Sequence, residues 1–174
     1  MSTTLTQPSP KKTSGAPVLR RGVRLAGAKT TRTGYVSYWV HGPGGKGSLA
    51  DFTPSKLIEV LRVGLPFLEL DALRNSLAVS MEELVPMLGI SKATLHRRKA
   101  AGRLGPAESD RVVRYARLMG KAVEVMESEE NARQWLASPQ FGLGGAVPLE
   151  YAETEAGARE VEDLLGRIEN AVYS

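Results

Sequence analysis

The residues best placed to do chemistry lie in one short run, Ser91-Lys-Ala-Thr-Leu-His-Arg-Arg-Lys99, with Arg103 just beyond it. Ser91 is a residue type that caps a helix, so Lys92, Thr94, His96 and Arg97 fall in that helix's first turns, the end from which side chains reach base edges when a helix enters the major groove. An arginine there can hold guanine with two hydrogen bonds, and Lys, Ser or Thr can hold phosphate oxygens. The predicted DNA-contacting set is Ser91, Lys92, Thr94, His96, Arg97, Arg98, Lys99 and Arg103. The bland alternative is a corner between two core helices whose arginines are simply solvated.

Catalysis finds no comparable set. The chain has no Cys and two His, which excludes thiolate nucleophiles, disulfides and histidine-rich or thiolate metal sites. His41 and His96 lie in different segments, each without a partnered nucleophile. Gly42 to Ser48 resembles a phosphate loop only superficially: Gly45-Lys46 is followed by Gly47, and Val40 stands where the first glycine is required. Gly142-Leu-Gly-Gly145 follows no strand, as a dinucleotide fingerprint must. Glu129 and Glu130 suit the positive end of a helix dipole. Neither an enzyme nor a bound cofactor is expected.

The elements that must position the basic run read as helices. Met81-Glu-Glu-Leu-Val-Pro-Met-Leu-Gly-Ile90 supplies the first half of a helix-turn-helix: Leu84, Val85 and Leu88 pack it, Gly89 takes the left-handed turn, Ile90 plugs the corner and Leu95 anchors the second helix. Two residues depart from that pattern. Pro86 removes a backbone hydrogen bond inside the first helix, and Arg98 stands where an aliphatic residue is normally buried. Around this unit, Thr53-Pro54 opens a helix that Gly64 ends, and Pro66 opens another to about Leu77. A long helix follows from Pro106 to about Glu127, Ser128 caps a short one through Leu136, and Thr154 caps a last one striped with Val161, Leu164, Leu165, Ile168 and Val172. Residues 138–150 read as a compact loop. The β-branched and aromatic run Gly34 to His41 predicts one short strand, and Met1 to Arg32, rich in Ser, Thr, Pro, Gly and basic residues, a flexible basic arm.

The 174 residues carry a net charge of +4, distributed very unevenly. Residues 1–50 hold eight basic and no acidic residues, 51–89 three and six, 90–121 nine and two, and 122–174 three and eleven. Blocks of opposite sign suggest different partners for different parts of the chain, or else solvated surface. No apolar run approaches the roughly 20 residues that span a bilayer, and no secretory signal is visible, so a cytoplasmic protein without membrane contact is expected.

Five ordered stretches together resemble one family: Leu95-His-Arg-Arg-Lys99, Ser109-Asp-Arg-Val-Val-Arg-Tyr-Ala-Arg117, Trp135-Leu-Ala-Ser-Pro139, Leu143-Gly-Gly-Ala-Val-Pro-Leu149 and Thr154 to Ile168. The chain is similar over roughly residues 65–174 to antitoxins of the Xre/MbcA/ParS type. The resemblance implies an all-α protein in two parts, a helix-turn-helix region over 51–127 that dimerises and represses its own operon and a toxin-binding region over 128–174; the basic arm with a short strand over 1–50 is read from composition and lies outside the resemblance. The implied partners are a RES-domain toxin that consumes NAD or ADP-ribosylates a target, operator DNA, and a second copy of the chain. The implied toxin-binding residues are Trp135, Leu143, Pro148, Val161, Leu165, Ile168, Glu169, Asn170, Val172, Tyr173 and Ser174, with Asn170, Val172, Tyr173 and Ser174 obstructing the toxin's NAD pocket. From the residues alone, the apolar stripe of the last helix serves equally to close the chain's own core. A stand-alone regulator and a pure protein-interaction module stay open as rivals.

Overall fold

A computed structural model describes residues 34–42 and 53–172, and these are helical, with no strand among them. The predicted arm and the tail residues Tyr173 and Ser174 lie outside the described residues. In chain order the helices are α1 (Tyr35–His41), α2 (Pro54–Val63), α3 (Leu68–Leu77), α4 (Met81–Met87), α5 (Lys92–Ala101), α6 (Pro106–Met126), α7 (Glu129–Leu136), α8 (Pro148–Tyr151) and α9 (Glu155–Val172).

The core is built around α6, whose 21 residues make a rod about 31 Å long. Val112, Val113, Tyr115, Ala116, Leu118, Met119 and Ala122 are all buried, on almost every side of the helix, because α1, α2, α3, α7 and α9 all pack against it. Tyr115 carries the one polar tip in this set. Its hydroxyl lies 3.3 Å from the Leu149 carbonyl and 3.4 Å from that of Met87, and burial, aided by the charge of Glu153, pushes its pKa to about 12.

Helix starts follow the capping residues in the sequence. Ser80 and Glu83 form a reciprocal capping box on α4, Ser91 accepts the Thr94 N–H, Ser128 that of Asn131 and Thr154 that of Gly157. Helix α3 begins two residues later than its proline suggested, because Pro66 instead pairs across an isolated bridge with Arg103. The loop after α7 is more ordered than its glycines implied, holding a 3₁₀ turn at Phe141–Leu143 and the four residues of α8.

The predicted strand at 34–41 is a correction: Tyr35–His41 is helix α1. Val36 and Val40 are buried against the core while Tyr38 between them is only half-buried, whereas a strand would have turned all three to one face. Two distant residues make this helix possible. Glu69, 4% exposed, accepts the Val36 N–H at 3.0 Å and so satisfies the start of α1. Gly120 on α6 lets the backbones touch, since a Cβ there would lie 2.0 Å from the Trp39 carbonyl oxygen. Tertiary contacts override the strand preference of the Val and Tyr residues.

Candidate DNA-contacting helix and partner-binding surface

Helices α4 and α5 form the predicted helix-turn-helix. Leu84 and Leu88 are wholly buried and Ile90 is 7% exposed. Gly89 turns at φ +60°, and Arg111 fills the space where its side chain would be, reaching across to donate to the Leu88 carbonyl at 2.7 Å. The turn is thereby tied to α6. Pro86 does not break α4, which runs on to Met87; the proline ring is exposed, one residue before the helix ends.

Helix α5 buries none of its own residues. Lys92, His96 and Lys99 recur at i, i+4 and i+7 and form one exposed stripe, with Arg97 exposed farther round the helix. Ser91 and Thr94 are occupied with capping, their hydroxyls 3.1 Å apart. Two members of the predicted set also make internal contacts. The Arg98 guanidinium Nε lies 3.0 and 2.8 Å from the two carboxylate oxygens of Glu108. Glu108 also accepts the Gly105 N–H that starts α6, so the residue that departs from the helix-turn-helix pattern locks α5 to α6. Arg103 donates to the Gly64 carbonyl at 2.6 Å and joins the segment after α5 to the end of α2.

The partner-binding residues implied by resemblance divide in the same way. Val161 and Leu165 are wholly buried and Pro148 is buried too. In this chain they hold α8 and α9 on the core. Trp135 and Leu143 are half-buried against that core, and Ile168 is half-buried on α9. Asn170 donates to the Gly166 carbonyl at 2.8 Å. Val172 ends α9, while Tyr173 and Ser174 lie outside the described residues.

Glu169 belongs to an ion ladder that runs along the seam between α6 and α9. Arg114 binds Glu155 at 3.0 Å, Arg117 binds Glu162 at 2.5 Å and Glu155 at 3.3 Å, and Lys121 binds Glu169 at 2.6 Å. The order of these pairs makes the two helices run parallel. Burial disfavours the charge on Arg117, but Glu162 and Glu155 outweigh it and raise its pKa. The Glu169 contact raises that of Lys121. Burial pushes Glu155 up, yet Arg114 and Arg117 hold it below the ordinary carboxylate value. Three cations of the basic block 90–121 and three carboxylates of the acidic block 122–174 are therefore paired with one another along this seam, and these six are not waiting for an outside partner.

Sequence reasoning missed Glu69, Glu108 and the ladder, because a paired carboxylate and a solvated one look alike in a sequence. It also passed over Phe141, a lone aromatic within a Gly- and Pro-bounded loop, which is the signal that could have singled it out. Among the described residues no group of His, Asp or Glu is arranged to hold a metal ion, and no helix is long and apolar enough to cross a membrane.

Comparison with known proteins falls on these same two surfaces. The family model of the antitoxin Xre-like helix-turn-helix domain matches residues 56–117, and that of the antitoxin Xre/MbcA/ParS C-terminal toxin-binding domain matches residues 121–170. Antitoxin Xre of Yersinia enterocolitica is 34% identical over 120 residues, covering 68% of this chain and 81% of the relative. The chain belongs to the Xre/MbcA/ParS antitoxin family. Antitoxin Xre of Photorhabdus laumondii is 32% identical to this antitoxin over 117 residues, 66% of the chain and 79% of the relative. A Sphingobium protein named a Prs ADP-ribosylating antitoxin is 24% identical over 132 residues, 70% and 83% of the respective lengths. The two matched stretches of this antitoxin contain α4 and α5 on one side and α7 to α9 on the other, and leave α1 outside both.

Proposed function

We propose that this antitoxin belongs to a type II pair, acts in the cytoplasm without catalytic activity of its own, and neutralises a RES-domain toxin that consumes NAD or ADP-ribosylates a target. The division of labour follows 51–127 for dimerisation and DNA, and 128–174 for the toxin. The last turn of α9 and the tail, with Asn170, Val172, Tyr173 and Ser174, close the toxin's NAD pocket by steric exclusion. The exposed α5 stripe, carried by a dimer, holds operator DNA and represses the operon. The observation that carries this reading is the match of the toxin-binding family model to residues 121–170. Two further points support it: the Lys121–Glu169 contact fixes the end of α9 against α6, and the name of the Sphingobium relative is consistent with an ADP-ribosylating partner.

The test is deletion of residues 170–174. The shortened chain should keep its melting temperature and operator affinity, yet fail to suppress NAD consumption or ADP-ribosylation by a RES-domain toxin of the same genome. Full protection by the shortened chain would sink the blocking mechanism.

A further inference from the structure

We infer that Phe141 is an anchor with which this antitoxin grips the flank of its toxin, at a second point separate from the α9 tail; the inference rests on the toxin-binding reading above. Phe141 is 100% exposed, whereas the other exposed large apolar residues of the described part, such as Val63 at 63% and Leu68 at 61%, each hide more than a third of their surface. A whole phenyl ring in water contributes nothing to the fold.

The loop nevertheless holds the backbone that carries that ring in a fixed place. Gln140 and Ala146 pair across an isolated bridge, the Gln140 N–H donating at 3.0 Å. The Gly145 N–H returns to the Gln140 carbonyl at 2.9 Å, and the Gln140 side-chain amide donates to the carbonyls of Trp135 and Ser138. Gly144 and Gly145 lie at φ +67° and +88°, conformations that side-chain-bearing residues rarely adopt. An aromatic on a backbone fixed in advance has only its own side-chain rotations left to lose on binding, and aromatic residues are prominent among those that dominate the energetics of interfaces.

Position selects the toxin as the occupant. Phe141 lies inside the stretch matched by the toxin-binding family model. Its loop sits directly on α9, since a Cβ on Gly142 would meet a Leu164 methyl at 2.5 Å. Leu164 precedes the helix end at Val172 by about two turns, or about 12 Å. A standard interface covers about 800 Å² on each partner, a disc of roughly 16 Å radius. One such disc, centred near the end of α9, takes in both the last turn of that helix and this loop, so a molecule that covers the last turn can also meet the ring. The partner must offer an apolar socket there.

The test compares full-length wild type with Phe141→Ala and Phe141→Trp. Affinity is measured against a purified RES-domain protein of the same genome, with melting temperature and oligomeric state followed in parallel. Phe141→Ala should melt and associate with itself as wild type does, but bind about 30-fold more weakly, mainly through faster dissociation. Phe141→Trp should recover most of the affinity. Equal binding by Phe141→Ala and wild type overturns this inference and leaves the toxin reading standing. Loss of self-association in Phe141→Ala assigns the ring to a second copy and also overturns it. A wild-type chain that does not bind the RES-domain protein overturns both the inference and the reading beneath it.

Discussion

Arg98 and Arg97 are adjacent, both basic, and separated by function. Arg97 is exposed on α5, while Arg98 turns inward to Glu108, whose side chain is only 11% exposed and also receives the Gly105 N–H. Removing Arg98 leaves that carboxylate half-satisfied, a loss of about 1–3 kcal/mol. Arg98→Ala should therefore lower the melting temperature measurably. Arg97→Ala should leave melting unchanged and weaken operator binding in a gel shift. Spacing in the sequence placed both on one helix, but could not show that the one-residue step of about 100° carries Arg98 onto the face that meets Glu108. The same blindness hid Glu69 and Glu108, whose partners lie 33 and 10 residues away.

Elements were legible where their ends carry local signals and illegible where distant residues decide. The caps at Ser80, Ser91, Ser128 and Thr154 all lie within three residues of the groups they satisfy, and the helices they start were readable. Helix α1 has no such cap of its own; Glu69 and Gly120 supply its start and its seat. The pairing of α6 with α9 was equally hidden, and it carries a pH dependence. Glu155 is held below its ordinary value, so its contribution to stability is complete above about pH 4.3 and is lost as pH falls through the lowered value. The melting temperature should drop on acidification below about pH 4, and the drop should shrink in Glu155→Gln. Glu69 acts in the opposite sense. Burial raises its pKa against the pull of the Val36 and Tyr35 backbone bonds, so its contribution is full below the ordinary value and declines as pH rises past the raised one. The two groups are separable in melts of the single variants.

At the scale of the molecule, the all-helical architecture and the helix-turn-helix were readable from periodicity, while the electrostatic plan was not. Block charges of opposite sign looked like two invitations to outside partners, yet Arg114, Arg117 and Lys121 are engaged by Glu155, Glu162 and Glu169. The cations left exposed on α5 are Lys92, Arg97 and Lys99. For operator binding, replacing Lys92 or Lys99 with Ala should flatten the plot of log affinity against log salt by ~0.9 for each phosphate left without its cation, whereas Arg114→Ala should leave that slope unchanged. Gly120 has one more consequence. It lies in the gap between the two matched stretches, beneath a helix that neither includes. A relative that docks an amino-terminal helix in this manner must keep a bare α-carbon there, and a relative without that helix is released from the demand. The residue aligned with Gly120 is thus a one-letter marker for sorting the family into chains with this extra buttress and chains without it.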